Sequence, residues 1–167
     1  MVTTKPEFDF VFRIKKERYL VMSYLNNQLG YRDALLDTRS IIKKGDYIVL
    51  DPDGLVKNVV PGYENCDVTI LGSPAMGATF ADYLVHVHEG GKNTGIGGEG
   101  IESFLYVVDG ELSVKNDDQS AELTKGGYIY SPASNNITFE AKGEATLYVY
   151  RRRYEPVAGH SAHTVVG

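Results

Sequence analysis

The chain has 167 residues, of which 43% are hydrophobic, 23% charged and 11% aromatic, and its formal net charge is −5. That length suits one domain, or one domain plus a tail, and the apolar fraction excludes wholesale disorder. The single cysteine, Cys66, excludes an internal disulfide framework and a cysteine-based zinc cluster, and the interspersed, net-negative charge argues against a nucleic-acid partner.

In chain order, the first 44 residues differ from the rest. Met1 to Val21 carries Lys15, Lys16, Glu17 and Arg18 in its second half, whereas a secretory signal places its charges before an apolar run. No segment approaches the roughly 18 consecutive apolar residues that span a bilayer. A cytoplasmic protein without a membrane partner is therefore expected. Tyr24 to Asp37 is polar and irregular, with at most a helical turn near Arg32–Leu36.

From Gly45 onward, short β-rich runs recur, each closed by a turn signal. Strands are predicted at 47–50, 56–60, 67–71, 78–88, 103–108, 111–115, 121–124, 128–130, 137–140 and 145–151. Asp53-Gly54, Asp109-Gly110, Asn116-Asp117 and Gly126-Gly127 supply the turns. Many short strands without a long amphipathic helix indicate an all-β antiparallel sandwich or barrel. Between His88 and Ser103 lies an interval with six glycines. It reads as a flexible loop over a barrel mouth, because a phosphate-cradling loop normally has a helix behind it.

His86 and His88 lie in Tyr-Leu-Val-His-Val-His. On a strand, positions i and i+2 share a face, so the two imidazoles converge, with Val85 and Val87 opposite. Such a pair supplies half of a site for Mn, Fe, Ni, Cu or Zn, and neighbouring strands must supply the rest.

These features resemble a cupin, a double-stranded β-helix barrel of the jelly-roll class. Gly77, His86, His88 and Gly110 occupy places comparable to its first motif, and Gly127 to Asn136 resembles the second, with Ser134 where a glycine would stand. Counting back from Gly110, the motif's metal-binding glutamate falls on Ser103, and its last histidine falls on Asn136. Serine hydroxyl and amide oxygen are poor ligands for these ions, so the resemblance implies an incomplete, vestigial site. Glu102 is one residue out of phase, and Glu99 reaches inward only if its loop folds over the mouth.

The strings Met22-Ser-Tyr-Leu-Asn-Asn27, Gly30-Tyr-Arg-Asp33, Leu55-Val-Lys-Asn58, Pro61-Gly-Tyr-Glu-Asn-Cys-Asp67, Gly98-Glu-Gly-Ile-Glu-Ser-Phe-Leu-Tyr-Val107 and Arg152-Arg-Tyr-Glu-Pro-Val157 resemble the N-terminal half of the (S)-ureidoglycine aminohydrolases. The resemblance covers Met22 to Gly167. It implies ureide catabolism by a two-barrel, manganese-dependent enzyme that releases ammonia from ureidoglycine. It also implies that the metal and the active site belong to the second barrel, so no catalytic residue and no bound metal are expected in this chain. The implied division is a leader or extension over 1–21, an irregular N-terminal arm over 22–44, a cupin barrel over 45–156 and a tail or linker over 157–167. Lys16-Glu17 can be encoded as AAGGAG, a ribosome-binding sequence ahead of Met22. His160 and His163, in the tail, read as solvated.

Three functions compete. The first is a non-catalytic half that packs against a second cupin or forms a homo-oligomer. The second is a small-molecule module whose pocket, lined by His86, His88, Glu99, Tyr130 and Asn136, takes a ureide or carboxylate. The third is an independent metal-binding cupin with its two histidines completed by Glu99 or water.

Overall fold

The computed structural model describes residues 40–167, so the helical turn expected near Arg32–Leu36 and the features of residues 1–39 lie outside the described residues. The chain divides into two units after Gly54. In the first, β1 (Ile41–Lys43) and β2 (Tyr47–Val49) form an antiparallel hairpin in register Ile42↔Ile48. Its turn is held by the Asp46 N–H donating to the Lys43 carbonyl at 3.0 Å. The boundary expected after residue 44 falls inside this hairpin, and the unit holding the barrel begins at Leu55.

The second unit is built from β3 (Lys57–Asn58), β4 (Tyr63–Gly72), β5 (Phe80–Asn93), β6 (Ile96–Gly97), β7 (Ile101–Asp109), β8 (Glu111–Lys115), β9 (Ser120–Thr124), β10 (Tyr128–Ser131), β11 (Asn136–Glu140), β12 (Ala145–Arg153) and β13 (Val165–Val166). Hydrogen bonding orders eight of these as β13-β10-β7-β12-β5-β11-β8-β9. β4 pairs with β3 and β5, and β6 pairs with β11. All these pairings are antiparallel.

The long strand β5 turns the corner of the barrel. Its first part pairs with β12, from Arg152↔Phe80 to Ala145↔Val87, and its end pairs with β11 at Glu140↔Lys92. The turn over residues 141–144 joins β11 to β12, so the two run as one bent line beside β5. The Gly90 N–H donates to the Ala141 carbonyl, and the Ala141 N–H to that of Gly91, each at 2.9 Å.

Here the structure corrects the sequence reading. The glycine-rich interval expected as a loop is largely strand, because β5 continues to Asn93 and β6 follows. The reason is crowding: a Cβ on Gly91 would lie 2.6 Å from the Asn65 carbonyl oxygen and 2.6 Å from Val87 Cγ1. Glycine therefore marks a close backbone approach within the corner. The tail is also partly strand, with β13 pairing β10 at Ile129↔Val166.

The core follows strand alternation. Val68, Val85, Val87, Leu105, Val107, Ile129, Leu147 and Val149 from one side meet Leu112, Val114, Leu123, Ile137 and Phe139 from the other. Each fully buried aliphatic side chain contributes roughly 1.5–3 kcal/mol relative to exposure. Among the described residues, no helix is long and apolar enough to cross a membrane.

Candidate functional site

Among the described residues, few polar groups are buried within the barrel, and most have protein partners, the hydroxyl of Tyr63 packed against the core being an exception. Ser103 Oγ, buried, donates to the Ile96 carbonyl at 3.0 Å. Asn93, also buried, donates from Nδ2 to the Ile137 carbonyl at 3.2 Å and accepts from the Phe139 N–H at 2.6 Å. A second buried polar link runs from Asn116 Nδ2 to Thr164 Oγ1 at 2.8 Å and to Ser131 Oγ at 3.4 Å, and the rest of the core is largely aliphatic. That donor set does not fit manganese or a related ion, and no chemical step is assigned to the interior.

The histidine pair lies elsewhere. Val85 and Val87 are fully buried, so His86 and His88, one residue out of phase, stand on the outer face of β5. This corrects the expectation that His86, His88, Ser103 and Asn136 form one vestigial set. Ser103 points inward, the histidines point outward, and Asn136 is exposed at the start of β11. The physical reason is that two valines bury at no polar cost, whereas two imidazoles would each need a buried partner.

The two imidazoles meet edge to face with centroids 4.9 Å apart. Glu144, from the turn over residues 141–144, bridges them: Oε2 lies 2.8 Å from His86 Nε2 and Oε1 lies 3.5 Å from His88 Nδ1. The outer ring nitrogens have partners as well. His86 Nδ1 is 3.5 Å from Thr146 Oγ1, and His88 Nε2 is 3.3 Å from Asp67 Oδ2. Asp67 also accepts from Lys57 Nζ at 2.5 Å, and this bond foremost holds its carboxyl below the usual range. Sheet register produces the cluster, since Asp67 and Thr146 flank His86 on β4 and β12, and Glu144 continues the β12 line level with His88. Sequence reasoning missed Glu144, Asp67 and Thr146. Their only signal is the pairing of β5 with β4 and β12, which no local motif records.

The other predicted pocket residues do not join this cluster. Glu99 is exposed in the turn before β7. Tyr130 shares the outer face but belongs to β10, three strands from β5, so the strand spacing alone puts it about 14 Å across the sheet. There the Tyr130 hydroxyl donates to Glu102 Oε2 at 2.8 Å, and Arg152 Nε donates to Glu102 Oε1 at 2.6 Å. Burial, followed by the carboxylate partner, pushes the Tyr130 phenol up to about 12. These groups line a shallow recess of about 300 Å³ with Phe104, Tyr148 and Tyr150. Two rows of aromatic side chains cross the same face, Tyr128-Tyr106-Tyr148 and Tyr130-Phe104-Tyr150. His160 and His163 are exposed.

Comparison with known proteins adds to this geometry. No family model matches the chain. The chain is 50% identical over 149 residues to the (S)-ureidoglycine aminohydrolase of Escherichia coli, which covers 87% of this chain and 57% of that protein. It superimposes on the crystal structure of protein Ylba from E. coli with TM-score 0.74 and 47% identity, over 82% of this chain and 58% of that one. An RmlC-like cupin from Shewanella frigidimarina matches with TM-score 0.54 and 15% identity, over 64% of this chain and 90% of that one, and shows the fold alone. The barrel is thus a cupin jelly roll. The chain spans about half the length of the curated relatives it matches.

Proposed function

We propose, from the premise that this chain resembles one half of the (S)-ureidoglycine aminohydrolases, that it is the non-catalytic, N-terminal cupin of such an enzyme. The observation that carries this reading is the barrel interior, whose buried described residues include no carboxylate or imidazole and which has Ser103 at the resemblance's glutamate position, tied to the Ile96 carbonyl. Manganese, ammonia release and the substrate pocket are then assigned to a second cupin barrel, and the work is placed in the cytoplasm as part of ureide catabolism. The role of this chain is to pack against that partner or against copies of itself. The two aromatic rows on the outer face support packing, because Tyr106 and its neighbour Val108 are each 38% exposed there.

The test is ammonia release from (S)-ureidoglycine with manganese present. This chain alone gives no turnover above the uncatalysed rate; robust turnover would refute the assignment. A second reading, a binding module for ureides or carboxylates, is favoured only by the recess beside Tyr130 and Arg152. Calorimetry with ureides, comparing the chain with Arg152→Ala, tests it.

A further inference from the structure

We propose that His86, His88 and Glu144 form a seat for one divalent transition-metal ion of the zinc class, on the outer face of the barrel and separate from its interior. The site is independent of the enzyme-half reading, since it uses none of the interior positions.

Three observations carry it. First, each of the three residues offers a donor atom, and these atoms all lie within 4.8 Å of one another. Around a tetrahedral zinc, ligands at about 2.0–2.1 Å from the metal stand roughly 3.3 Å apart. Glu144 comes near that separation to both imidazoles, through Oε2 to His86 at 2.8 Å and through Oε1 to His88 at 3.5 Å. Glu144 is the most exposed of the three and can adjust without disturbing the core.

Second, the outer shell is in place. A metal-bound imidazole usually gives its other ring nitrogen to a carboxylate, carbonyl or hydroxyl, which fixes the ring and raises its basicity. His88 has Asp67 in that position and His86 has Thr146. Asp67 is itself held by Lys57.

Third, His88 faces a carboxylate oxygen with each of its ring nitrogens. Of these, Nδ1 is the nitrogen turned to Glu144, at 3.5 Å, and Nε2 the one turned to Asp67, at 3.3 Å, so the ring is already oriented with one nitrogen toward the seat and the other toward its outer partner. A cation between His88 Nδ1 and Glu144 would take one coordinate bond from each. Two imidazoles and one carboxylate, with a position left for water, suit zinc and its neighbours better than calcium or magnesium, which prefer oxygen.

The experiment is titration of the metal-stripped full chain with Zn²⁺, Mn²⁺ and Mg²⁺, by calorimetry and by thermal unfolding. One equivalent of Zn²⁺ binds saturably and raises the unfolding midpoint, as expected of an ion held by the folded state alone. Mg²⁺ does neither. The chain has four histidines, so His160→Ala/His163→Ala controls for the tail and keeps full affinity. Glu144→Gln weakens binding at least tenfold, and His86→Gln/His88→Gln abolishes it. Circular dichroism of the metal-free variants checks their folding. Co²⁺ substitution gives a second readout on the unmodified chain: a nitrogen- and oxygen-ligated visible spectrum without a thiolate charge-transfer band. Three results would overturn the proposal: no saturable Zn²⁺ binding, binding unchanged in the folded double-glutamine variant, or a thiolate band placing the ion at Cys66.

Discussion

At the scale of single residues, the outcome depends on which side of a strand a group occupies. Cys66 lies on β4 opposite Val87, half-buried against the core, while its neighbour Asp67 faces outward. Burial pushes the Cys66 thiol up to about 11, well above the usual thiol range. Thiolate is the reacting species. Alkylation of the native chain by iodoacetamide at neutral pH is therefore expected to run roughly 100-fold slower than that of the urea-unfolded chain, with rates read by mass spectrometry. Asp82, on the outer face of β5, shows the same force on a carboxylate: desolvation raises its pKa, opposed by the Tyr148 hydroxyl donating to Oδ2 at 2.9 Å. A carboxyl with a raised native value binds its proton more tightly when folded. Its contribution to stability therefore falls as pH rises from the unfolded value, near 4, through the native one. Asp82→Asn is expected to flatten the urea-unfolding free energy across that window and to leave stability below it unchanged.

At the scale of elements, the corner where β5 passes from β12 to β11 carries a buried polar link. Asn93 satisfies two backbone groups of β11, the Ile137 carbonyl and the Phe139 N–H. Asn93→Ala leaves both buried and unpaired, and a loss of about 2–4 kcal/mol is expected in urea titrations. Asn93→Asp, which keeps one acceptor, should lose less if it remains protonated near pH 4. Strand existence was legible in the sequence: the predicted runs 111–115, 121–124, 128–130 and 137–140 match β8 to β11 within a residue or so. Local alternation and turn chemistry suffice there. Less legible were β1, β6 and β13, which have two or three residues each and owe their existence to partners. The extension of β5 through Gly90 and Gly91 was hidden because glycine at a tight corner looks like loop composition. The face shared by His86 and His88 was legible from their spacing. Their outward direction was not, since Val-x-Val and His-x-His interleave, and burial decides between them. Glu144 needed the β5–β12 register.

At the scale of the barrel as a whole, a closed core coexists with an outer sheet face that is unusually aromatic for a wall in water. The rows Tyr128-Tyr106-Tyr148 and Tyr130-Phe104-Tyr150 cross three adjacent strands. If that face packs against a second barrel, the isolated chain should self-associate. Sedimentation is expected to show a concentration-dependent oligomer, and Tyr106→Glu should weaken it at least tenfold while leaving the core intact, because Tyr106 points away from Leu105 and Val107. A strictly monomeric chain at high concentration would count against packing through this face.

The phase of β5 reaches further than the placing of two imidazoles. From Val85 to His88 the odd positions address the hydrocarbon interior and the even ones address solvent, so the wall behaves as two channels that share one backbone and little else. Donors can be lost from the inner channel without altering the outer one. The outer channel can gain or lose donors without repacking a single valine. Metal chemistry on such a barrel is therefore not one inherited property. Each side of the wall can acquire or lose it separately.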